Sequence, residues 1–238
     1  MTTLLASFIP IVGVFYLVYK QKEKRKKTIK NIIKTFLIGG LAGIFSFVSA
    51  NFLMLIFLRN TNILNPNFSN LFEVIQLSII SAVSEGIFKF LAISIFVYSA
   101  YYKISKFTKK TERMLYAIFI GIGIVFFWFI FYFFRTGFLK AFYRFMVVSP
   151  FFIFLTILMG YFIEKANEFF KNKNKTLLFL FFALFFPILF HIFHEVLIFN
   201  FQNNIFSIFL FLIDVFLAIL GIVFLLIIFA KEKNQIKT

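Results

Sequence analysis

Long uninterrupted apolar runs constrain this chain more than any other feature. A helix that crosses a bilayer needs about 20 mainly apolar residues, and this ruler gives seven candidate spans, at 4–19, 35–58, 71–102, 114–134, 145–163, 176–199 and 205–230. The chain is 62% hydrophobic, far above the roughly 45–50% of soluble domains. No ten-residue pattern alternates apolar and polar as a transmembrane barrel requires, so the expected fold is all-α, a polytopic membrane helix bundle. The first run leads directly into KQKEKRKK and reads as a retained anchor rather than a cleaved signal. The 71–102 run is too long for a straight perpendicular span and implies tilt or an interfacial extension. Gly39–Gly40, Gly121–Gly123, Pro150 and Pro187 are candidate points of helix interruption, since Gly or Pro loosens a helix, although the signal is weak.

Charge sets the expected orientation. Of the 25 Lys and Arg residues, twenty lie in 20–34, 103–113, 164–175 and the tail after 230. Four lie in the alternate connections, as Arg59, Arg135, Lys140 and Arg144, and Lys89 falls inside a span. Positive residues stay in the cytoplasm, so the N terminus is expected outside and the C terminus inside. The formal net charge of +16 therefore sits in short juxtamembrane loops that anionic membrane lipids attract, and no nucleic-acid partner is implied. With no cysteine in the chain, disulfides, thiol nucleophiles and thiolate zinc sites are excluded. One polytopic membrane domain over 1–238 is expected, since no long polar linker interrupts the spans.

Ionisable residues inside the spans mark the candidate site. A charge at mid-bilayer costs about 2.5–3.5 kcal/mol on insertion scales and normally faces the protein interior. In SAVSEGIFKF, Glu85 and Lys89 stand i, i+4 with the acid first, on one helix face in the favourable order for an ion pair. In HIFHE, His191 and Glu195 are also i, i+4, and His194 lies between them on a different face. Imidazole and carboxylate on one face can orient a water, relay a proton or bind a metal. The order HxxHE does not fit the HExxH zinc helix. Asp214, the only aspartate, sits in the last span. Counting about 1.5 Å per residue from the outer end of each span places Glu85, His191 and Asp214 at depths that allow one shared cavity. The same residues would also line an ion path in a small transporter, although the chain shows no internal repeat of the kind transporters carry.

Taken in order, these features resemble the PrsW family of intramembrane proteases, related to the Abi/CPBP prenyl endopeptidases. ASFIPIVGVFYLVYK, a basic loop and KTFLIGGLAGIFS resemble the family's opening. SEGIFKF resembles its EExxK signature, with Glu85 and Lys89 in place. ERMLYAIFIGIGIVFFWFIFYFF resembles DGxxYGxxxGxGFAxxEN, keeping Tyr116, Gly121 and Gly123. RFMVVSPFFIFLTILMGYF keeps Arg144, Pro150, Gly160 and Tyr161 of another segment, and PILFHIFHE resembles the final HxxxD-like element with His191 and Glu195. Four positions depart from the pattern: Gly86 replaces the second glutamate, Trp128 and Phe129 replace a glutamate and an asparagine, and Phe152 replaces a histidine.

The resemblance implies an intramembrane endopeptidase that cuts membrane-anchored proteins, with Glu85, Lys89, His191 and Glu195 as catalytic residues. Glu85 would be the general base, Lys89 and His191 would stabilise the oxyanion, and Glu195 would orient His191. It leaves the cofactor open between none and a divalent metal ion, for which His191, Glu85 and Asp214 are the candidate ligands. The departures motivate an alternative, a pseudoprotease that binds partner transmembrane helices without cutting them. Resemblance and a codon usage that favours Phe, Ile, Lys and Asn together imply a bacterial plasma membrane.

Overall fold

The structure, a computed structural model, describes residues 25–57, 71–99, 110–200 and 204–235. These residues form six α-helices and one π-helical segment, with no strand among them. Helix α1 is Arg25–Phe57, α2 is Leu71–Ala92, α3 is Lys110–Thr136, α4 is Phe138–Glu168, α5 is Lys173–Asn200 and α6 is Asn204–Gln235. Each contains a stretch long and apolar enough to cross a membrane. The expected span at 4–19 lies outside the described residues.

The helices are continuous at the candidate points of interruption. Helix α4 runs through Pro150 and α5 through Pro187, while α1 and α3 continue through their Gly pairs. The departure from regular α-helix comes instead at Ile93–Ser99, where α2 passes into a π-helical segment. It falls in the run that was too long for a straight span.

Helix packing closes a ring in the order α1, α2, α5, α4, α3 and back to α1, with α6 set mainly against α4. Helices α3 and α4 form an antiparallel hairpin joined by Gly137 alone. Its φ of 83° and ψ of 165° lie in a region that only glycine occupies readily. At the far end of the hairpin Arg113 binds Glu164 through two hydrogen bonds, Nε to Oε2 at 2.9 Å and Nη2 to Oε1 at 2.5 Å. Such a fork fixes both distance and orientation. Helices α1 and α3 approach closely at glycines. A Cβ on Gly39 would collide with the Ile120 carbonyl, and one on Gly123 with the Phe36 carbonyl. Small residues let backbones meet where lipid supplies no hydrophobic drive between helices.

Polarity is distributed inside out. Leu37, Phe52, Phe181, Phe193 and Phe216 are exposed on the outer surface, as a lipid solvent requires. Thr35, Ser78, Ser84, Glu85, Lys89, Ser149, Thr156, Glu164, His191, His194 and Asp214 are buried. Between them lies an apolar core that includes Ile93, Tyr116, Ile120, Phe151, Phe152, Leu155 and Met159. Helices packed this way are a polytopic membrane bundle.

Candidate active site

Helix α2 presents one polar stripe to the interior. Ser78, Ser81, Glu85 and Lys89 follow at spacings of three, four and four, which puts them on one face. Lys89 Nζ lies 2.9 Å from Glu85 Oε1, with side chains only 2% and 3% exposed. The two charges form an ion pair closed off from the surface. Lys89 Nζ also stands 4.4 Å from the centroid of the Phe152 ring. A cation–π contact of this kind gains strength where water is excluded.

Helix α5 supplies the opposite wall. His191 Nδ1 is 3.9 Å from Glu85 Oε1, and His191 Nε2 is 3.3 Å from Glu195 Oε1. Ser81 Oγ donates to the same Glu195 oxygen at 3.2 Å. The polar groups thus form a circuit, from Ser81 to Glu195 to His191 to Glu85 to Lys89, that crosses twice between α2 and α5. Phe152 closes the floor, meeting His191 edge-on at 5.4 Å between ring centroids.

Gly86 explains how α5 comes this close. A Cβ at this position would collide with Ile188 Cγ1. Where the resemblance expects a second glutamate, the chain has the contact point of the two helices. The loss of one carboxylate and the meeting of Glu85 with His191 share a single steric cause.

Asp214 is not part of this circuit. Its Oδ2 lies 2.7 Å from His194 Nε2, and the Phe151 ring stacks on His194 with centroids 3.9 Å apart and planes 10° apart. The structure therefore holds two adjacent buried polar groups. Glu85, Lys89, His191 and Glu195 come together in the first, and Asp214 joins His194 in the second. Ser81 is a further member of the site, and its place one turn before Glu85 on the polar stripe is the signal for it in the sequence. The partner of His194 has no such signal, because nothing in the local spacing says that His194 of α5 meets Asp214 of α6.

The donors do not fit a metal centre with three protein ligands. The two carboxylates address opposite nitrogens of one imidazole, Glu85 at Nδ1 and Glu195 at Nε2, so both cannot share an ion with the same nitrogen. Lys89 already sets its positive charge against Glu85 Oε1. No group of three His, Cys, Asp or Glu side chains suited to an ion occurs among the described residues. A catalytic zinc needs three such ligands and an open position.

Residues 27–229 match the family described as PrsW family intramembrane metalloprotease. The Protease PrsW of Clostridioides difficile (strain 630) is 30% identical over 198 residues, which cover 79% of this chain and 75% of that protein. No solved structure matches. With a family match over most of its length, the chain belongs to the PrsW family of intramembrane proteases.

Proposed function

We propose that this chain hydrolyses peptide bonds in membrane-anchored protein substrates with Glu85 as general base, in a bacterial plasma membrane. The observation that carries the reading is the buried Glu85 carboxylate, held 2.9 Å from Lys89 Nζ and 3.9 Å from His191 Nδ1. A buried acceptor of this kind suits a water O–H. Glu85 takes a proton from that water while its oxygen bonds to the carbonyl carbon of the scissile peptide. Negative charge then develops on the carbonyl oxygen, and the fixed positive end of Lys89 and the ring of His191 stand beside it. The C–N bond breaks as the proton taken by Glu85 passes to the leaving nitrogen, which gives a carboxylic acid and an amine. Glu195, braced by Ser81, holds the imidazole in its orientation. No step passes through a metal, because the donor set does not fit one.

A gel-based cleavage assay in reconstituted membranes, using single-span substrates, tests the reading. Glu85→Gln keeps size and hydrogen bonding but cannot take the proton, and the rate is expected to fall by about 10²–10⁴-fold, the usual worth of a positioned base. Cleavage that survives this substitution would remove Glu85 from the mechanism.

A second reading, a helix-binding pseudoprotease, is favoured by Phe152 and by the Gly86–Ile188 contact, which put apolar surface where the resemblance expects polar groups. It predicts capture of a substrate helix with no product from the wild type or from Glu85→Gln.

A further inference from the structure

The short stretch 191–195 of α5 carries three polar residues into the interior, and each meets a different partner. His191 faces Glu85, Glu195 accepts from Ser81, and His194 meets Asp214 of α6. The stretch follows on Pro187, which α5 contains within its span. Proline removes the hydrogen bond to the carbonyl four residues back, here Ala183, and its ring crowds that carbonyl, so a helix is easier to bend or turn beyond it. The side chains that would meet Glu85 are therefore mounted beyond the weakest point of the helix. What fixes their direction has to come from neighbouring helices.

From α2 the brace is Ser81 on Glu195. From the other side it is the His194–Asp214 pair, at 2.7 Å and buried at both ends, with Phe151 of α4 stacked flat on His194 and edge-on to His191 at 6.2 Å. A buried ionisable pair is costly in lipid, and an apolar pair of similar size would serve packing as well. The pair differs from apolar packing in one respect: a short directed hydrogen bond allows one rotation of α5, whereas apolar side chains tolerate several.

We infer that His194 and Asp214 are a positioning pair, a latch from α6 that fixes the rotation of the 188–197 segment of α5 and so holds His191 against Glu85 and Glu195 against Ser81. The catalytic consequence rests on the reading of the site given above, while the geometric consequence does not. Neither residue touches the reacting atoms. Asp214 thereby has a role in the chain unrelated to binding an ion.

The chain has no cysteine, so spin labels introduced at Phe52 on α1 and Phe193 on α5, both exposed, report one distance without background. The full-length protein in nanodiscs is compared with Asp214→Leu, Asp214→Asn and the double variant His194→Leu with Asp214→Leu. The double variant leaves no unpaired buried group and so keeps the fold testable if Asp214→Leu does not insert. Asp214→Leu and the double variant are expected to broaden the distance distribution and to lower kcat at least tenfold with little change in KM. Asp214→Asn, which still hydrogen-bonds His194, is expected to stay narrow and to keep more of the rate. A narrow distribution in the double variant would overturn the latch, with cleavage intact because the pair is idle, or with cleavage lost because Asp214 acts in the chemistry. If no form cleaves, the proposed hydrolysis fails, and the distance distributions still decide the latch.

Discussion

Gly86 shows how one residue can set both the packing and the chemistry of this site. The side chain of any other residue there would press into Ile188 and drive α2 from α5, separating Glu85 from His191. Gly86→Ala is expected to cost about 1–3 kcal/mol, the usual penalty of overpacking, read as a lower unfolding midpoint in detergent. Shortening the opposing side chain with Ile188→Ala in the same chain is expected to recover part of that loss. Recovery is expected in the cleavage rate as well, since both depend on one contact. Gly86→Glu, which would rebuild the second glutamate of the family pattern, is expected to lose more stability than Gly86→Ala. The place for that carboxylate is occupied by a neighbouring helix. Sequence spacing displayed Glu85, Lys89, His191 and Glu195 because each pair lies within one helix, at i, i+4. It did not display the Gly86–Ile188 contact, which joins residues about a hundred positions apart.

The α3–α4 hairpin is the element that gives the ring a fixed edge. Gly137 turns the chain at one end, and the Arg113–Glu164 fork ties the other. Glu164 is buried and Arg113 is more open, so removing the arginine strands a carboxylate in a poorly hydrated place. Arg113→Met is expected to destabilise the protein by about 3–5 kcal/mol, the range for breaking a buried pair by deleting one partner. Arg113→Lys is expected to lose less, because a single ammonium keeps the charge but not the two-point geometry. Chemical denaturation in mixed micelles measures both, and equal losses would mean that the fork geometry carries the whole contribution and the charge alone none. The Gly pairs in α1 and α3 read from sequence as points of weakness, but in the fold they are crossing points. Helix α2 departs from regular geometry further along, at Ile93–Ser99, in a segment without Gly or Pro. A period of apolar residues cannot reveal such a change, because it depends on what α2 meets in the ring.

At the scale of the whole molecule, the distribution of positive charge predicts which side each connection faces. Lys140, at the start of α4, and Asn172, between α4 and α5, are both exposed at opposite ends of one helix. In the cysteine-free chain, Lys140→Cys is expected to react with an impermeant maleimide on intact cells, and Asn172→Cys only after the membrane is opened. The reverse pattern would invert the orientation. The fold class and the approximate spans were legible in the sequence because bilayer thickness imposes a length and lipid imposes an apolar exterior, and both are local properties of a chain. The ionisable residues were legible for the same reason, since a charge in an apolar run stands out wherever the run is placed. The order of helices around the ring, the approach of α2 to α5 at Gly86 and the pairing of Asp214 with His194 rather than with His191 were decided only by tertiary structure. They depend on which faces of separate helices meet, and helices that all present lipid-compatible surfaces leave little in their separate sequences to say which neighbour each will take.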